Sequence, residues 1–581
     1  MEESSSSTPS SDDGEYTLLI ELVHRHVGFH DAELASVWRM HGIQDFTFQE
    51  LPMDTRHHSS CSTGNNIRPF RIVTFPWTAI ETDYSVEDNE ISDKDKGKTN
   101  LITALSRCTL IRSVIELWGC GPVLKDCVES VRASVSPHRH RRGCHLGAKA
   151  KPYSERSWKI TIHTLGSTYN REEQGDMRSQ FSFLDFPGPV QMKCPDDEFL
   201  FIREVELDSN GGAVYPRHSE TKCIIPENDA RPSLGCYFGR VLGNNRMGRN
   251  WRGSNRIEQF SLKKRKYLGP TSMDSELSLI MTNLALIDKG SFVFDPFTGT
   301  GSILLTAALR GAYVFGTDID LRVLRGRSED ENILANFKQF NLPPPELVRC
   351  DNSLYHRHFR SHLPLFDAIL TDPPYGIRAG ARKSGSKRDE VRPVLDEHRY
   401  AHGINTKREC WTHFNLLGRH DHVAQTKPYA VSDVMADLLN VAAMTLKMGG
   451  RLTYIIPSMK DFNEDEDLPR HECLKLVSVC YQPLQTELGR RVVTLEKTNE
   501  YDEQKQAQYL ESTWLNGAQS AEKCANIRER LLEVAKKKPG YEEKAAIRKQ
   551  KRKLNKETKK RAKREQAAQA QEMLEDKSHH V

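Results

Sequence analysis

The chain has 581 residues, of which 37% are hydrophobic, with 83 Lys and Arg against 79 Asp and Glu. Such a length suggests roughly two to four domains of about 150 residues each, and the low apolar share predicts segments that stay outside any core. No uninterrupted apolar run reaches the roughly 20 residues of a membrane span, and the acidic, Ser-rich start Met1-Glu2-Glu3-Ser4 lacks the basic and apolar regions of a signal peptide.

The 13 cysteines are scattered, with no C-x-x-C pair. That pattern fits reduced thiols in the cytosol or nucleus rather than disulfides or a zinc site, so no metal is expected and the cytoplasm is the expected compartment. The net charge of +4 is uneven: Lys544–Arg564 holds 12 Lys/Arg and one acid, Glu557, for +11, which leaves −7 for the remainder. The overall charge therefore reports one tail and says little about the folded part.

Residues 1–15 read as a disordered leader. Tyr16–Val23 is a strand by its β-branched and apolar content, and His30–Met40 a helix with Leu34, Val37 and Trp38 on one face. Phe70–Phe75 is a second strand, and Thr82–Asn100 a polar, acidic loop. Leu105, Cys108, Ile111, Val114, Ile115 and Trp118 recur at helical spacing, which predicts a helix over Leu101–Trp118 stopped by Gly119 and Gly121. Pro137–His145 reads as a solvated basic loop, since its His and Cys match no metal-ligand spacing. Ser157–His163 alternates as a half-buried strand, and Val190–Met192 and Phe199–Val205 are further strands. The first half is thus an α+β region, residues 16–250.

A basic cluster, Lys263, Lys264, Arg265 and Lys266, precedes Gly269-Pro270-Thr271-Ser272-Met273-Asp274. It reads either as a solvated linker or as a phosphate-binding lip. Thr271 or Ser272 is placed to cap the helix that follows. From Phe292 the pattern becomes alternating strand and helix, which predicts a doubly wound sheet over residues 251–497. Strands are expected at Phe292–Phe294, Tyr313–Thr317, Leu347–Cys350, Phe366–Leu370 and Arg451–Ile456, with an antiparallel final pair at Leu474–Tyr481 and Arg491–Glu496. Helices are expected at Ser302–Arg310, Leu321–Phe340 and Val431–Leu446. Arg378–Tyr429 reads as a charge-rich flap. Residues 498–581 form a charged, lysine-rich tail, helical or disordered, without coiled-coil heptads.

Three features carry chemistry. Asp295-x-x-x-Gly299-x-Gly301 is a tight turn between the first strand of this sheet and its helix, where glycines let backbone approach a ligand. Taken alone it serves NAD equally well, but it lacks the third glycine of the dinucleotide fingerprint and begins with an acid. An acid there suits the cationic S-adenosyl-L-methionine. Asp318, ending the second strand, can accept ribose hydroxyls, and Asp351-Asn352, ending the third, can meet an adenine edge. Asp372-Pro373-Pro374-Tyr375 follows the fourth strand. Its prolines fix an extended loop that offers a carboxylate, the Pro373 carbonyl and an aromatic ring. Those acceptors suit an exocyclic base amine, whose lone pair they localise, while Tyr375 stacks on the base.

These residues resemble the class I S-adenosylmethionine-dependent methyltransferases that act on amino groups. Ser261–Asp274, Asp295–Gly301, Gly316–Asp320, Asp372–Arg378 and Arg490–Lys497 are similar to the tRNA guanine-10 N2-methyltransferase catalytic subunits. So are Ser106–Gly119 and Phe186–Val190 in the first half. The resemblance implies a ferredoxin-like plus THUMP-type RNA-binding region before the methyltransferase domain. It implies methyl transfer from S-adenosyl-L-methionine to N2 of guanosine 10 in tRNA, and a small zinc-binding activator subunit as partner. It also implies Asp295, Phe297, Gly299, Gly301, Asp318, Ile319, Asp351, Asn352, Thr271 and Ser272 at the cofactor. Asp372, Pro373, Pro374 and Tyr375 are the catalytic loop it implies, and Lys263, Lys264, Arg265 and Lys266 the RNA contacts. Two other readings compete: an amino-methyltransferase of adenine or cytosine in DNA, and a non-catalytic RNA-binding scaffold.

Overall fold

The computed structural model describes residues 15–52 (except 24 and 44–45), 68–76, 101–135, 156–205 (except 166–168), 233–242, 260–375 (except 270–271 and 361–362), 381–385, 426–517 (except 460 and 485–486), 527–537 and 550. The expected leader, the acidic loop Thr82–Asn100, the basic loop Pro137–His145, most of the flap and nearly all of the lysine-rich block lie outside these residues.

The first half contributes β1 (Glu15–Leu22), β2 (Thr47–Gln49), β3 (Phe70–Pro76), β4 (Ile111–Gly121), β5 (Trp158–Leu165), β6 (Asp197–Val205) and β7 (Ser233–Val241). They form one seven-stranded sheet in the order β2-β3-β1-β4-β7-β6-β5. The two modules expected there therefore share a continuous sheet. β5 and β6 run parallel, with the helix Arg171–Ser179 lying between them in the chain, as a parallel pair requires a crossover. Val190–Met192 is not a strand; Val190 makes an isolated bridge to Trp158.

The helix expected over Leu101–Trp118 stops at Arg107, and β4 takes over from Ile111. β4 lies between β1 and β7 and is buried along both faces. A central strand of this kind needs apolar residues at nearly every position, and such a run satisfies a helical template as well. The β-branched Ile111, Val114 and Ile115 favour the extended form.

The second half contributes β8 (Phe292–Asp295), β9 (Tyr313–Asp318), β10 (Glu346–Arg349), β11 (Phe366–Thr371), a short ribbon β12 (Arg382–Ser384) and β13 (Thr426–Pro428), then β14 (Leu446–Met459), β15 (Leu474–Pro483) and β16 (Leu488–Lys497). The main sheet has the order β10-β9-β8-β11-β14-β16-β15. The first five strands are parallel, and β16 is antiparallel to both its neighbours. Helices Ser302–Leu309 and Val431–Thr445 supply crossovers. The helix expected over Leu321–Phe340 is two short ones, Leu321–Arg325 and Ile333–Gln339, parted at Gly326, whose φ is 78°. A Cβ there would lie 2.3 Å from the Glu331 carbonyl oxygen, so the break requires glycine.

The chain winds outward from β8 to β10 and then returns to β11 on the other side of β8. That reversal makes the carboxyl ends of β8 and β11 the switch point where open α/β sheets bind ligands.

The sheets of the two halves are joined by buried polar contacts. Glu33 accepts hydrogen bonds from the amides of Thr109 and Leu110 and from Asn283 Nδ2, at 2.8, 3.0 and 2.7 Å. Arg451 donates to Ser36 Oγ and the Leu284 carbonyl. The chain beyond the boundary expected at Lys497 still packs on the second sheet. Tyr509 and Trp514, beyond it, are buried in the apolar cluster that includes Tyr355, Leu439 and Tyr454.

Candidate active site

Asp295 closes β8 and is 1% exposed. Its Oδ1 accepts from the Phe297 amide at 3.0 Å and from Thr371 Oγ1 at 2.7 Å. Thr371 ends β11, so this bond pins the glycine loop beside the strand end from which Asp372 emerges. Burial, with the charges of Asp318 and Asp372, pushes the Asp295 carboxyl up to about 7, against the opposing hydrogen bonds from Thr371 and Phe297.

Gly299 and Gly301 have φ of 53° and 73°, values that disfavour a side chain. Gly301 caps the helix Ser302–Leu309 without a side-chain hydrogen bond. Asp318 holds this loop: its Oδ2 accepts from the Gly299 amide at 2.9 Å and its Oδ1 from the Asp320 amide at 2.8 Å. Burial raises its pKa, outweighing these amides. Ile319, beside it, is half-buried and accepts from Arg349 through its carbonyl.

The segment before the sheet is laced to the same loop. Ser272 Oγ meets Thr300 Oγ1 at 2.8 Å and accepts from the Gly269 amide at 2.9 Å. The following helix, Ser275–Leu284, is capped by Asp274, which accepts from the Glu276 amide, and not by Ser272; Thr271 lies outside the described residues. Arg265 departs from its expected role. It is buried, and donates to Ser302 Oγ at 2.8 Å and to the Phe260 carbonyl at 3.1 Å. Burial lowers its pKa to about 10. Its guanidinium thus supports the first turn of the helix Ser302–Leu309, while Lys263, Lys264 and Lys266 stay exposed.

At the end of β10, Asp351 Oδ1 accepts from the Ser353 amide and hydroxyl, and Oδ2 from the Ser384 amide at 2.6 Å. Burial alone would raise its pKa, but the Ser384 and Ser353 donors hold it below the ordinary value. Asp351 therefore ties the third-strand loop to β12; its Oδ1 is already filled by two donors, and only Oδ2 has room for one more. Asn352 is buried with its Nδ2 making no hydrogen bond among the described residues. A buried donor without a partner is costly, which suits it to an acceptor on a bound adenine.

Phe297 is half-buried and packs against a small cluster of Ala381, Tyr429 and Val434 at the root of the flap. The Tyr429 hydroxyl binds Asp437, and Lys383 reaches Asp433 at 3.3 Å. Burial pushes the Asp437 carboxyl up to about 6. Asp372 and Pro374 are partly exposed while Pro373 is buried. Tyr375 is 9% exposed and belongs to the cluster with Val431 and Met435, so most of its ring packs under the loop instead of standing free to stack. Thr371, Thr300 and Ser384 escaped the sequence reading. Thr371 directly precedes the proline loop in sequence, a signal that could have found it.

Residues 92–221 match the family described as the Tmrp11 THUMP N-terminal domain, and residues 263–341 the RMKL-like methyltransferase domain. The chain is 34% identical over 419 residues to the tRNA (guanine(10)-N(2))-methyltransferase TRMT11 of Bos taurus, covering 70% of this chain and 79% of that protein. It is 36% identical over 404 residues to the protein of the same name in Dictyostelium discoideum, covering 68% and 70% respectively. The chain belongs to the TRMT11 family. Among solved structures, TrmN from Thermus thermophilus is similar at 15% identity and a TM-score of 0.33, covering 83% of this chain and 99% of that one. The methyltransferase match spans the stretch in which Arg265, Asp295, Gly299, Gly301 and Asp318 are hydrogen-bonded to one another's segments, so in this TRMT11 family chain it covers the glycine loop and its supports, while Asp351, Thr371 and Asp372 lie beyond it.

Proposed function

We infer that this chain transfers a methyl group from S-adenosyl-L-methionine to the exocyclic N2 of guanosine 10 in tRNA. The observation that carries the reading is the Thr371–Asp295 hydrogen bond, which sets the Asp372-Pro373-Pro374-Tyr375 loop against the glycine loop. When bound, S-adenosylmethionine supplies an electrophilic methyl group on a cationic sulfur. Asp295, Gly299 and Gly301 receive its amino-acid end, Asp318 and Ile319 the ribose, and Asn352 the adenine, with Asp351 holding that loop in place. Phe297 and Ser272 line the approaches.

Asp372 and the Pro373 carbonyl each accept an N–H from the guanine amine. This localises the nitrogen lone pair and stabilises the positive charge that grows there during attack. The Asp372 carboxylate, or water beside it, then takes the proton. Tyr375 floors the pocket with the exposed remainder of its ring. Lys263, Lys264 and Lys266 are free to meet phosphate.

Mass spectrometry of tRNA from cells lacking the protein tests the activity: N2-methylguanosine at position 10 disappears, and its persistence refutes the reading. DNA amino-methylation fits the loop chemistry but not the THUMP match, and a scaffold would not keep the Asp295, Asp318 and Asp372 set intact.

The small zinc-binding activator belongs to the same proposal. β10 is one of the two edge strands of the sheet among the described residues, with Val348 exposed along it, and such an edge is a template for another chain. Methyl transfer to unmodified tRNA transcripts, measured with and without co-purified activator, decides whether it is required. No helix among the described residues is long and apolar enough to cross a membrane. The cytoplasm is the proposed compartment, and imaging of the tagged protein checks it.

A further inference from the structure

The segment past the last strand is not a passive extension. Gln506 Nε2 donates to Tyr355 Oη at 2.9 Å. Tyr355 begins the short helix Tyr355–His358, immediately after the turn Asn352–Leu354 that carries the buried, unpartnered Asn352 amide. Trp514 Nε1 donates to the Ser432 carbonyl at 3.5 Å, in the first turn of the helix Val431–Thr445. That helix carries Asp433 and Asp437, which hold Lys383 and Tyr429 at the root of the flap. Tyr501 Oη reaches Asn440 on the same helix at 3.4 Å. The segment is itself anchored from behind, since the Arg470 amide donates to the Thr513 carbonyl at 2.8 Å and Tyr509 lies 4.4 Å from His471 between ring centroids.

We propose that residues 501–514 are a positioning brace for the cofactor pocket, in which Gln506 holds Tyr355 and thereby the Asn352 turn, while Trp514 and Tyr501 hold the helix that fixes the flap root. The inference rests on the S-adenosylmethionine reading of the Asn352 turn. Two features separate a brace from ordinary packing. The contacts are directional hydrogen bonds to the two elements that border the third-strand loop. They also come from a stretch outside residues 263–341, which the methyltransferase-domain match covers. Tyr355 is 2% exposed, and its hydroxyl meets both Gln506 and Tyr501, two residues of the brace, so loss of Gln506 leaves a buried hydroxyl one partner short and loosens the turn.

The full-length protein is tested as Gln506→Ala, Tyr355→Phe, their double variant, Gln506→Glu and, as a surface control, Gln508→Ala. Binding of S-adenosylhomocysteine is measured by calorimetry, beside tRNA affinity, thermal unfolding, and KM for S-adenosylmethionine against kcat. Gln506→Ala and Tyr355→Phe each weaken S-adenosylhomocysteine binding about 5-fold, the worth of one neutral hydrogen bond. The double variant loses no more than Tyr355→Phe alone, because that change already removes the Gln506 bond. Gln506→Glu, which loses the Nε2 donor but whose carboxylate accepts from the Tyr355 hydroxyl and so rebuilds the link with its direction reversed, restores binding to within about 2-fold. KM for the cofactor rises with kcat and tRNA affinity unchanged, and Gln508→Ala behaves as the parent. Parent-like cofactor affinity in Gln506→Ala and Tyr355→Phe overturns the brace. So does a loss that Gln506→Glu does not repair, or one that tracks the fall in thermal stability. A parent protein that binds tRNA but no S-adenosylhomocysteine overturns the cofactor reading itself, and the brace with it.

Discussion

Asp295 carries a buried carboxyl raised to about 7 against an ordinary 3.8. A shift of this size corresponds to roughly 4 kcal/mol at about 1.4 kcal/mol per pKa unit, as an upper bound on the cost of ionising it in the ligand-free protein. A cationic ligand end beside it favours the ionised form, so binding expels the proton. For a group titrating near 7, the ionised fraction of the free protein rises about tenfold between pH 6 and pH 8. S-adenosylhomocysteine, which keeps the ammonium and is not turned over, should therefore bind about tenfold more tightly at pH 8 than at pH 6. Calorimetry in buffers of different ionisation enthalpy should show about half a proton released per ligand at pH 7. Asp295→Asn separates charge from shape. Both native hydrogen bonds land on Oδ1, which asparagine keeps, so the loop survives while the charge is gone. The variant should bind weakly and without pH dependence over that range. The sign for stability is opposite. The folded pKa lies above the unfolded one, so between about 4 and 7 the folded state holds the extra proton, and the ligand-free protein loses stability as pH rises through that window. At pH 8, Asp295→Asn should melt above the parent. A pH-independent affinity with no proton release in the parent refutes the placement of the cationic end at Asp295.

Asp372→Ala should abolish turnover while tRNA binding persists in filter binding; retained turnover removes Asp372 from its place at the amine. Arg265→Ala should lower the melting temperature and leave the salt dependence of tRNA binding intact, whereas Lys263→Ala with Lys264→Ala should reduce the salt slope by about one to two, since each phosphate contact contributes about one. Gly316→Ala puts a Cβ 2.4 Å from Thr298 Oγ1 and 2.5 Å from Leu304 Cδ1, and chemical denaturation should record a loss of about 1–3 kcal/mol. Glu33→Ala strands the amides of Thr109 and Leu110. It should cost at least about 1–3 kcal/mol in the same assay, and a melting curve like the parent's would contradict that.

The second sheet was legible because its strands are short apolar runs separated by helices and punctuated by glycine and proline. The placement of its acids was legible because they stand at strand ends: Asp295, Asp318 and Asp351 close β8, β9 and the β10 loop, and Asp372 follows β11. What those acids do was less legible. Asp318 and Asp351 already accept from the Gly299 and Ser384 amides before any ligand arrives, a role only the fold assigns. Arg265 was hidden in a run of four basic residues, and nothing local distinguishes the one that turns inward to Ser302. β7 was missed for a steric reason. Gly239 sits where a Cβ would lie 2.1 Å from the Glu116 carbonyl oxygen of β4, so close strand approach demanded a residue that weakens the strand pattern. The helix Leu124–Ser134 had a signal, Cys127, Val128 and Val131 at helical spacing, which the glycines just before it obscured.

The contacts between the two halves differ in what they can do. Arg39 pairs with Glu496 across the junction at 2.7 Å, but its side chain is 52% exposed, and an exposed pair contributes little. Glu33 is another matter. Its carboxylate has three protein donors, one from the helix Ser275–Leu284 of the catalytic half, and burial holds its pKa above the ordinary range. A group so placed tolerates one arrangement, because sliding the halves apart leaves buried amides and a carboxyl without partners. Arg451, buried on β14, adds a second such tie through Ser36 and Leu284. The N-terminal sheet and the catalytic sheet consequently hold a fixed relative position, and the separation between the first and the loop at Asp372 is set by the protein. The adjustment needed to bring the guanine amine to that loop then falls on the RNA and on the elements rooted at Ser384 and Tyr429.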